Sequence, residues 1–400
     1  MIYLVLSLDY ELFGNGSGDV RRDMIEPTNR ILQICDEHTA KVSIMLEVGA
    51  YWAMQKAEEE GLLNIDYLPS QEIERQVKTA VTSGHDVQLH LHPWWIGATF
   101  EENRWRLHPE YRRVTDLPNG TGSEGDLLSV VGVLCEGKRT LEALVRPVRA
   151  DYECLVYRAA MFWGQPSGGL IRGLKMAGLA ADSSVVGGLY ETAPVPTDYR
   201  DVPPSLDYWW TSAEDISRSG RKGEQIIEFP VYSKLRPYVC NFKWTKLSAT
   251  LKRRSVEKAD TQGYGMMEAR KSTDSLGGII KKLWTLQPLK YDFCKLSAND
   301  MIRELRRLIK SNPVIKSNPA DEDGIGTPVV MVGHSKDFWN DRNLAIFLKF
   351  VKEECAERVH FSTLGECTRR ILEKDTQCAR GPIDEALSPS TATHKGSGPK

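Results

Sequence analysis

Of the eight histidines in this 400-residue chain, three crowd into the stretch SGHDVQLHLHPWW, residues 83–95. His90 and His92 stand one residue apart in an alternation that reads as a strand. Side chains two apart on a strand share a face, about 6.5–7 Å apart along the backbone. Near the N-terminus, SLDYE sets Asp9 and Glu11 at the same spacing. Two imidazoles with one carboxylate and an open position make a catalytic site for a divalent ion, zinc or a similar metal. A second carboxylate beside the ion can take a proton from water whose pKa the metal lowers to about 7. Arg158 in VYRAAMFWG and His334 in VVMVGHSKDFW add a guanidinium and a further imidazole. Singly, each motif has an ordinary explanation: a DxE after a strand caps a helix or forms a salt bridge, and an HxH pair sits in a packed core. Together, each at the end of an expected strand, they point to one site.

The elements that must position these groups are apolar strands alternating with helices. Strands are expected at 2–8, 41–48, 153–159, 179–186, 226–232, 328–333 and 358–362, besides the histidine strand. Helical spacing runs through MIEPTNRILQICDEH, YWAMQKAEEE, QEIERQVKTAVTSG, NDMIRELRRLIKS and NLAIFLKFVKEEC. This order predicts a parallel sheet covered on both faces. About seven or eight such units predict a closed or nearly closed barrel, with functional groups gathered where strands end. Asp9 with Glu11, His90 with His92, Arg158 and His334 all stand at such ends. His85 follows Gly84 at a helix-to-strand turn, off the parity of His90 and His92, and reads as a structural hydrogen-bonding group.

One domain is expected over residues 1–375. Residues 97–126 and 190–222 read as long loops over one mouth of the barrel, and 243–290 as a solvated, locally basic loop insertion. The last stretch, 376–400, is of low complexity and reads as a disordered tail. Hydrophobic content of 41% and charged content of 26% suit a globular protein with an ample core. A net charge of −2 gives no reason to expect nucleic acid as a partner. No run approaches 18 apolar residues, so no membrane span is expected. MIYLVLSLDYELFG lacks the basic start and small-residue cleavage site of a signal peptide, and the scattered cysteines form no CxxC pair. A cytoplasmic protein with reduced thiols is the reading that follows.

In combination, SLDYE, GHDVQLHLHP, YRAAMFW, LAADSSVV, IIEFPV and VVMVGHSKDF resemble the motifs of the NodB-homology polysaccharide deacetylase superfamily, over roughly residues 1–370. The resemblance implies an irregular (β/α) TIM-like barrel of about seven strands with long loop insertions. It also implies a metal-dependent hydrolase that removes an acyl (acetyl) group from an N-acylated sugar by metal-activated water, with zinc the expected ion. By position, Asp9 resembles the family's base, Glu11 a metal ligand, Arg158 the arginine that orients the base, and His334 the acid for the leaving amine. His90 and His92 complete the implied ligand set. The family's first motif has adjacent aspartates and its second spaces its histidines four apart; here Asp9 and Glu11 flank Tyr10, and Trp94 holds the fourth position. Trp94 and Trp95 follow the histidines, and aromatic faces there would suit a sugar ring, although core packing is the ordinary role of tryptophan. For a cytoplasmic member, a glycan precursor is the expected substrate. A metal-independent amidohydrolase or isomerase on the same scaffold, and a degenerate barrel that only binds sugar, are the other readings. Asp9, Arg158 and His334 speak against the last, since binding alone needs no base and acid.

Overall fold

The computed structural model describes residues 1–63, 66–203, 208–237, 286–311 and 326–379. The first strand, β1 (Ile2–Tyr10), is buried along almost its whole length, as a parallel strand covered on both faces should be. It is followed by α1 (Glu26–Glu37), β2 (Val42–Glu47), α2 (Val48–Glu59), α3 (Pro69–Thr82) and β3 (Asp86–Leu91). Proline in the first turn opens both α1 and α3, where a missing N–H costs nothing. Gly84 takes φ +85° in the turn from α3 into β3, a conformation that favours glycine.

A short antiparallel pair, β4 (Thr99–Glu101) and β5 (Arg104–Arg106), precedes α4 (Val130–Val145), β6 (Val156–Ala159), α5 (Gly168–Met176) and β7 (Ala181–Asp182). A second small pair, β8 (Tyr190–Glu191) and β9 (Thr197–Asp198), leads to β10 (Trp209–Trp210) and β11 (Ile227–Glu228). Next come the antiparallel partners β12 (Ser233–Pro237) and β13 (Leu286–Lys290). The described chain ends with α6 (Ala298–Ser311), β14 (Thr327–His334), α7 (Asp341–Glu354), β15 (Val359–Ser362) and α8 (Leu364–Ala379).

The main sheet runs β10-β11-β7-β6-β3-β2-β1-β14, with β15 also on β1, and only β10 is antiparallel to its neighbour. It curls, but among the described residues no continuous ladder closes it into a barrel. Its two flanks meet through isolated parallel bridges, Val186 to Val231 and Val231 to Val330. The expected strands at 179–186 and 226–232 shrink to two-residue ladders for a physical reason. Side chains take over backbone groups there: Glu228 Oε1 accepts from Val185 N at 2.9 Å, and Ser184 Oγ from Ala159 N at 2.8 Å. The expected loops 97–126 and 190–222 also contain short strands, and Trp209–Trp210 extends the main sheet. Most of the 243–290 stretch, and residues 380–400 of the expected tail, lie outside the described residues; Leu286–Lys290, at the end of that stretch, is a strand, and residues 376–379, expected to begin the tail, continue α8 instead. No helix among the described residues is long and apolar enough to cross a membrane.

A candidate metal and acid–base site

The register of the sheet assembles the site. In the β1–β14 ladder Asp9 lies opposite His334, and across β2, β3 and β6 the row is Glu47, His90, Arg158. Glu11 and His92 each lie just beyond a strand, yet the chain stays extended and the two-residue parity carries through. All six sequence-predicted groups come together: Asp9, Glu11, His90, His92 and Arg158 are buried, and His334 is nearly so.

Arg158 is fully buried, and four of its five N–H donors have partners. Its Nη1 donates to Asp9 Oδ1 at 2.6 Å, Nη2 to the Ser7 and Ser183 hydroxyls at 2.9 Å each, and Nε to the Ser183 carbonyl at 2.9 Å. Burial pushes the Asp9 carboxyl up, but Arg158, then His90 and His334, outweigh it and hold the group below its ordinary value. Asp9 is an ionised carboxylate with a fixed direction. Its other oxygen, Oδ2, lies 3.5 Å from His334 Nε2.

Glu11 Oε2 lies 3.1 Å from His90 Nε2 and 2.8 Å from His92 Nε2, and the three candidate ligand atoms lie within 4.8 Å of one another. Its Oε1 accepts from Lys336 Nζ at 2.6 Å. Burial opposes the charge on Glu11; Lys336, His92 and His90 overcome that and hold its carboxyl well below the ordinary value. The His90 ring makes a second contact that fixes its tautomer. Its Nδ1 lies 2.9 Å from the Arg158 carbonyl, which can only accept, so Nδ1 carries the proton. Nε2 then presents a lone pair to a carboxylate oxygen, which is repulsive unless a proton or a cation lies between them. That arrangement, with the carbonyl as outer partner, is the one a metal-ligating histidine adopts.

His92 is held from two other sides. Its backbone N–H donates to Glu47 Oε1 at 2.8 Å, and its ring stacks on Trp94 with centroids 4.4 Å apart. Glu47 also caps α2, accepting from Gly49 N and Ala50 N. Gly49 is required by a close approach, since a Cβ there would meet the Trp95 Cβ at 2.9 Å. Trp94 and Trp95 are themselves buried, 3% and 2% exposed, so neither presents an open face to solvent. Burial lowers the His334 pKa to about 4, with Lys295 and Lys336 contributing against the pull of Asp9 and Glu11. Among the described residues, the buried polar atoms without a hydrogen-bond partner include His92 Nδ1, His334 Nδ1 and Trp94 Nε1 at the site.

Sequence reasoning missed Glu47, the Ser7 and Ser183 hydroxyls, and the ion pair from Lys336 to Glu11. Glu47 is the last residue of β2 and the last but one of the expected strand KVSIMLEV, so asking of every strand end what it carries would have found it. The serines carry no such signal. His85 proves structural, as expected: its Nδ1 accepts from Val42 N at 3.2 Å and Nε2 lies 3.3 Å from Asp36.

No family model and no curated protein matches the chain. Among solved structures, one from Mycobacterium smegmatis described as a polysaccharide deacetylase is 14% identical, with a TM-score of 0.39, over 99% of this chain and 95% of that one. A Pseudomonas aeruginosa PAO1 structure given the same description is 10% identical at a TM-score of 0.39, over 92% of this chain and 90% of that one. A 4-alpha-glucanotransferase from Thermococcus litoralis is 12% identical at a TM-score of 0.39, over 92% of this chain but only 38% of its own. These are distant structural resemblances, and none carries an inference about activity or substrate.

Proposed function

We propose that this chain is a metal-dependent hydrolase that removes an acyl (acetyl) group from an N-acylated sugar or glycan precursor. The observation that carries the proposal is the division of two buried carboxylates between different partners. Asp9 is tied to Arg158 and faces His334, while Glu11 faces two imidazole Nε2 atoms. A binding protein has no use for a carboxylate kept ionised by a buried guanidinium beside an imidazole.

The donor set fits a divalent ion. Glu11, His90 and His92 are two imidazoles and a carboxylate with converging ligand atoms, and the His90 tautomer leaves its Nε2 lone pair free for coordination. Glu11, His90 and His92 would hold a divalent ion, zinc by its ligands, which would supply the Lewis acidity that makes water a nucleophile near neutral pH. The remaining steps belong to the chain's own groups. Asp9, ionised and aimed by Arg158, accepts the proton of the attacking water. His334 is neutral at rest, so it must gain a proton before it can give one to the departing nitrogen. Asp9, once protonated, is the neighbour placed to supply it.

One observation favours a second reading, an amidohydrolase or isomerase that needs no metal. The Lys336 ammonium already rests on Glu11 and offsets its charge. Elemental analysis of protein purified under metal-replete conditions separates the two. The first reading expects close to one divalent ion per chain, lost in Glu11→Gln and in His90→Ala. Wild-type protein without an ion would sink it in favour of the second.

A further inference from the structure

Among the described residues, the cations around the site are paired with anions, with one exception. Arg158 holds Asp9, Lys336 holds Glu11, and Lys295 lies 2.5 Å from Asp337 and 3.5 Å from Asp292. Lys290, the last residue of β13, has no carboxylate within ion-pair distance among the described residues. Its ammonium instead lies over the Phe162 ring, 4.1 Å from the centroid. The same ring takes the Arg158 guanidinium at 5.8 Å, so Lys290 belongs to the neighbourhood of the Arg158–Asp9 pair.

Its placement is built into the fold. The next residue, Tyr291, is buried; its N–H donates to the Tyr232 carbonyl at 2.8 Å and its hydroxyl to the Met301 carbonyl at 2.7 Å, on α6. Side chains alternate along extended chain, so Lys290 is turned away from α6. Phe162 is set with equal care, because Met161 and Phe162 both take positive φ, 52° and 65°. Two adjacent non-glycine residues in that region are strained, and the surrounding structure must hold them in place. Burial, with Lys295 next, lowers the Lys290 pKa to about 8, as befits an ammonium that lacks a counter-ion.

We propose that Lys290, on its Phe162 platform, binds an anionic group of the substrate, a carboxylate or a phosphate, so that the acyl sugar turned over is an acidic one. This rests on the hydrolase reading for the word substrate, but the anion site can be tested without it. Inorganic phosphate and acetate are titrated into the full chain by calorimetry, for the wild type, Lys290→Met and Lys290→Arg. At least one anion is expected to bind the wild type, about ten- to a hundredfold more weakly in Lys290→Met, the range of a hydrogen bond to a charged group, and to recover in Lys290→Arg. Failure of both anions to bind, or equal binding to all three proteins, overturns the site.

N-acetylglucosamine 6-phosphate, N-acetylmuramate and neutral N-acetylglucosamine are then compared for binding and for acetate release, and show which anion is preferred. Anion binding that depends on Lys290, without acetate release from any sugar, keeps the site and removes the hydrolase reading. Acetate release from the neutral sugar alone keeps the hydrolase and overturns the acidic substrate.

Discussion

Replacing Asp9 by Asn tests the centre of the site, because the amide keeps the shape and removes the charge. In the wild type the Arg158 guanidinium is fully buried, and among the described residues Asp9 is its only charged partner within ion-pair distance. Its other acceptors, two serine hydroxyls and a carbonyl, are neutral. Removing one member of a buried pair leaves the other charge uncompensated and costs about 3–5 kcal/mol. Urea denaturation followed by intrinsic fluorescence should therefore show Asp9→Asn losing that much stability at an unchanged slope. Turnover should fall by about 10²–10⁴ through loss of the base. The double variant Asp9→Asn/Arg158→Met removes both charges. Ser7 and Ser183 still donate their hydroxyl protons, to the Met331 and Phe229 carbonyls. Most of the lost stability should return in the double variant while turnover stays low, the non-additivity expected of contacting residues. An Asp9→Asn protein within about 1 kcal/mol of wild type, or a double variant less stable than either single one, would refute the reasoning.

The roles of the two carboxylates should separate: Glu11→Gln lowers ion content first and regains activity with excess ion, whereas Asp9→Asn keeps the ion; the opposite pattern, read by elemental analysis and rate, reverses the assignment. His334 binds a proton less readily folded than unfolded, so its contribution to stability is present above pH 6.5 and is lost as pH falls toward about 4. Over that window metal-free wild type should lose on the order of 3 kcal/mol more than His334→Gln, measured as urea midpoints against pH. Glu47→Ala strands the N–H groups of Gly49, Ala50 and His92 and should cost about 3 kcal/mol. It should also weaken ion binding beyond what Glu47→Gln does, in a competition titration with a chelator.

How far the sequence spoke depended on the kind of signal each residue gives. Asp9, Glu11, His90 and His92 were legible because a period of two survives past the end of a strand, and chemistry-bearing residues are rare enough to stand out against it. Arg158 and His334 were found in the same way, at the ends of apolar runs. Lys290 was hidden inside a stretch read as an insertion, because LQPLK is a weak strand pattern interrupted by proline. The seam of the sheet was invisible for a different reason. At Ser184 and Glu228 side chains take backbone N–H groups that a ladder would use, a trade decided by neighbours far away in sequence. Trp94 and Trp95 were read for their faces, and only packing shows that both rings are buried, Trp94 stacked on His92 and Trp95 in edge contact with Trp105.

The pairing of β1 has a consequence for how the chain is made. One edge of β1 lies along β14, and the first half of its other edge along β15; only the second half of that edge meets the early strand β2. The Ser7 hydroxyl, which donates to Met331, waits for a residue 324 positions downstream. At about 5–20 residues per second, that is about 15–65 s of synthesis during which IYLVLSL has most of its backbone edge unpaired. An apolar strand in that state is a template for other chains. Nascent protein released before residue 362 should therefore aggregate or be retained by chaperones, because β14 and β15, the last two strands of the described chain, are the ones that cover the first.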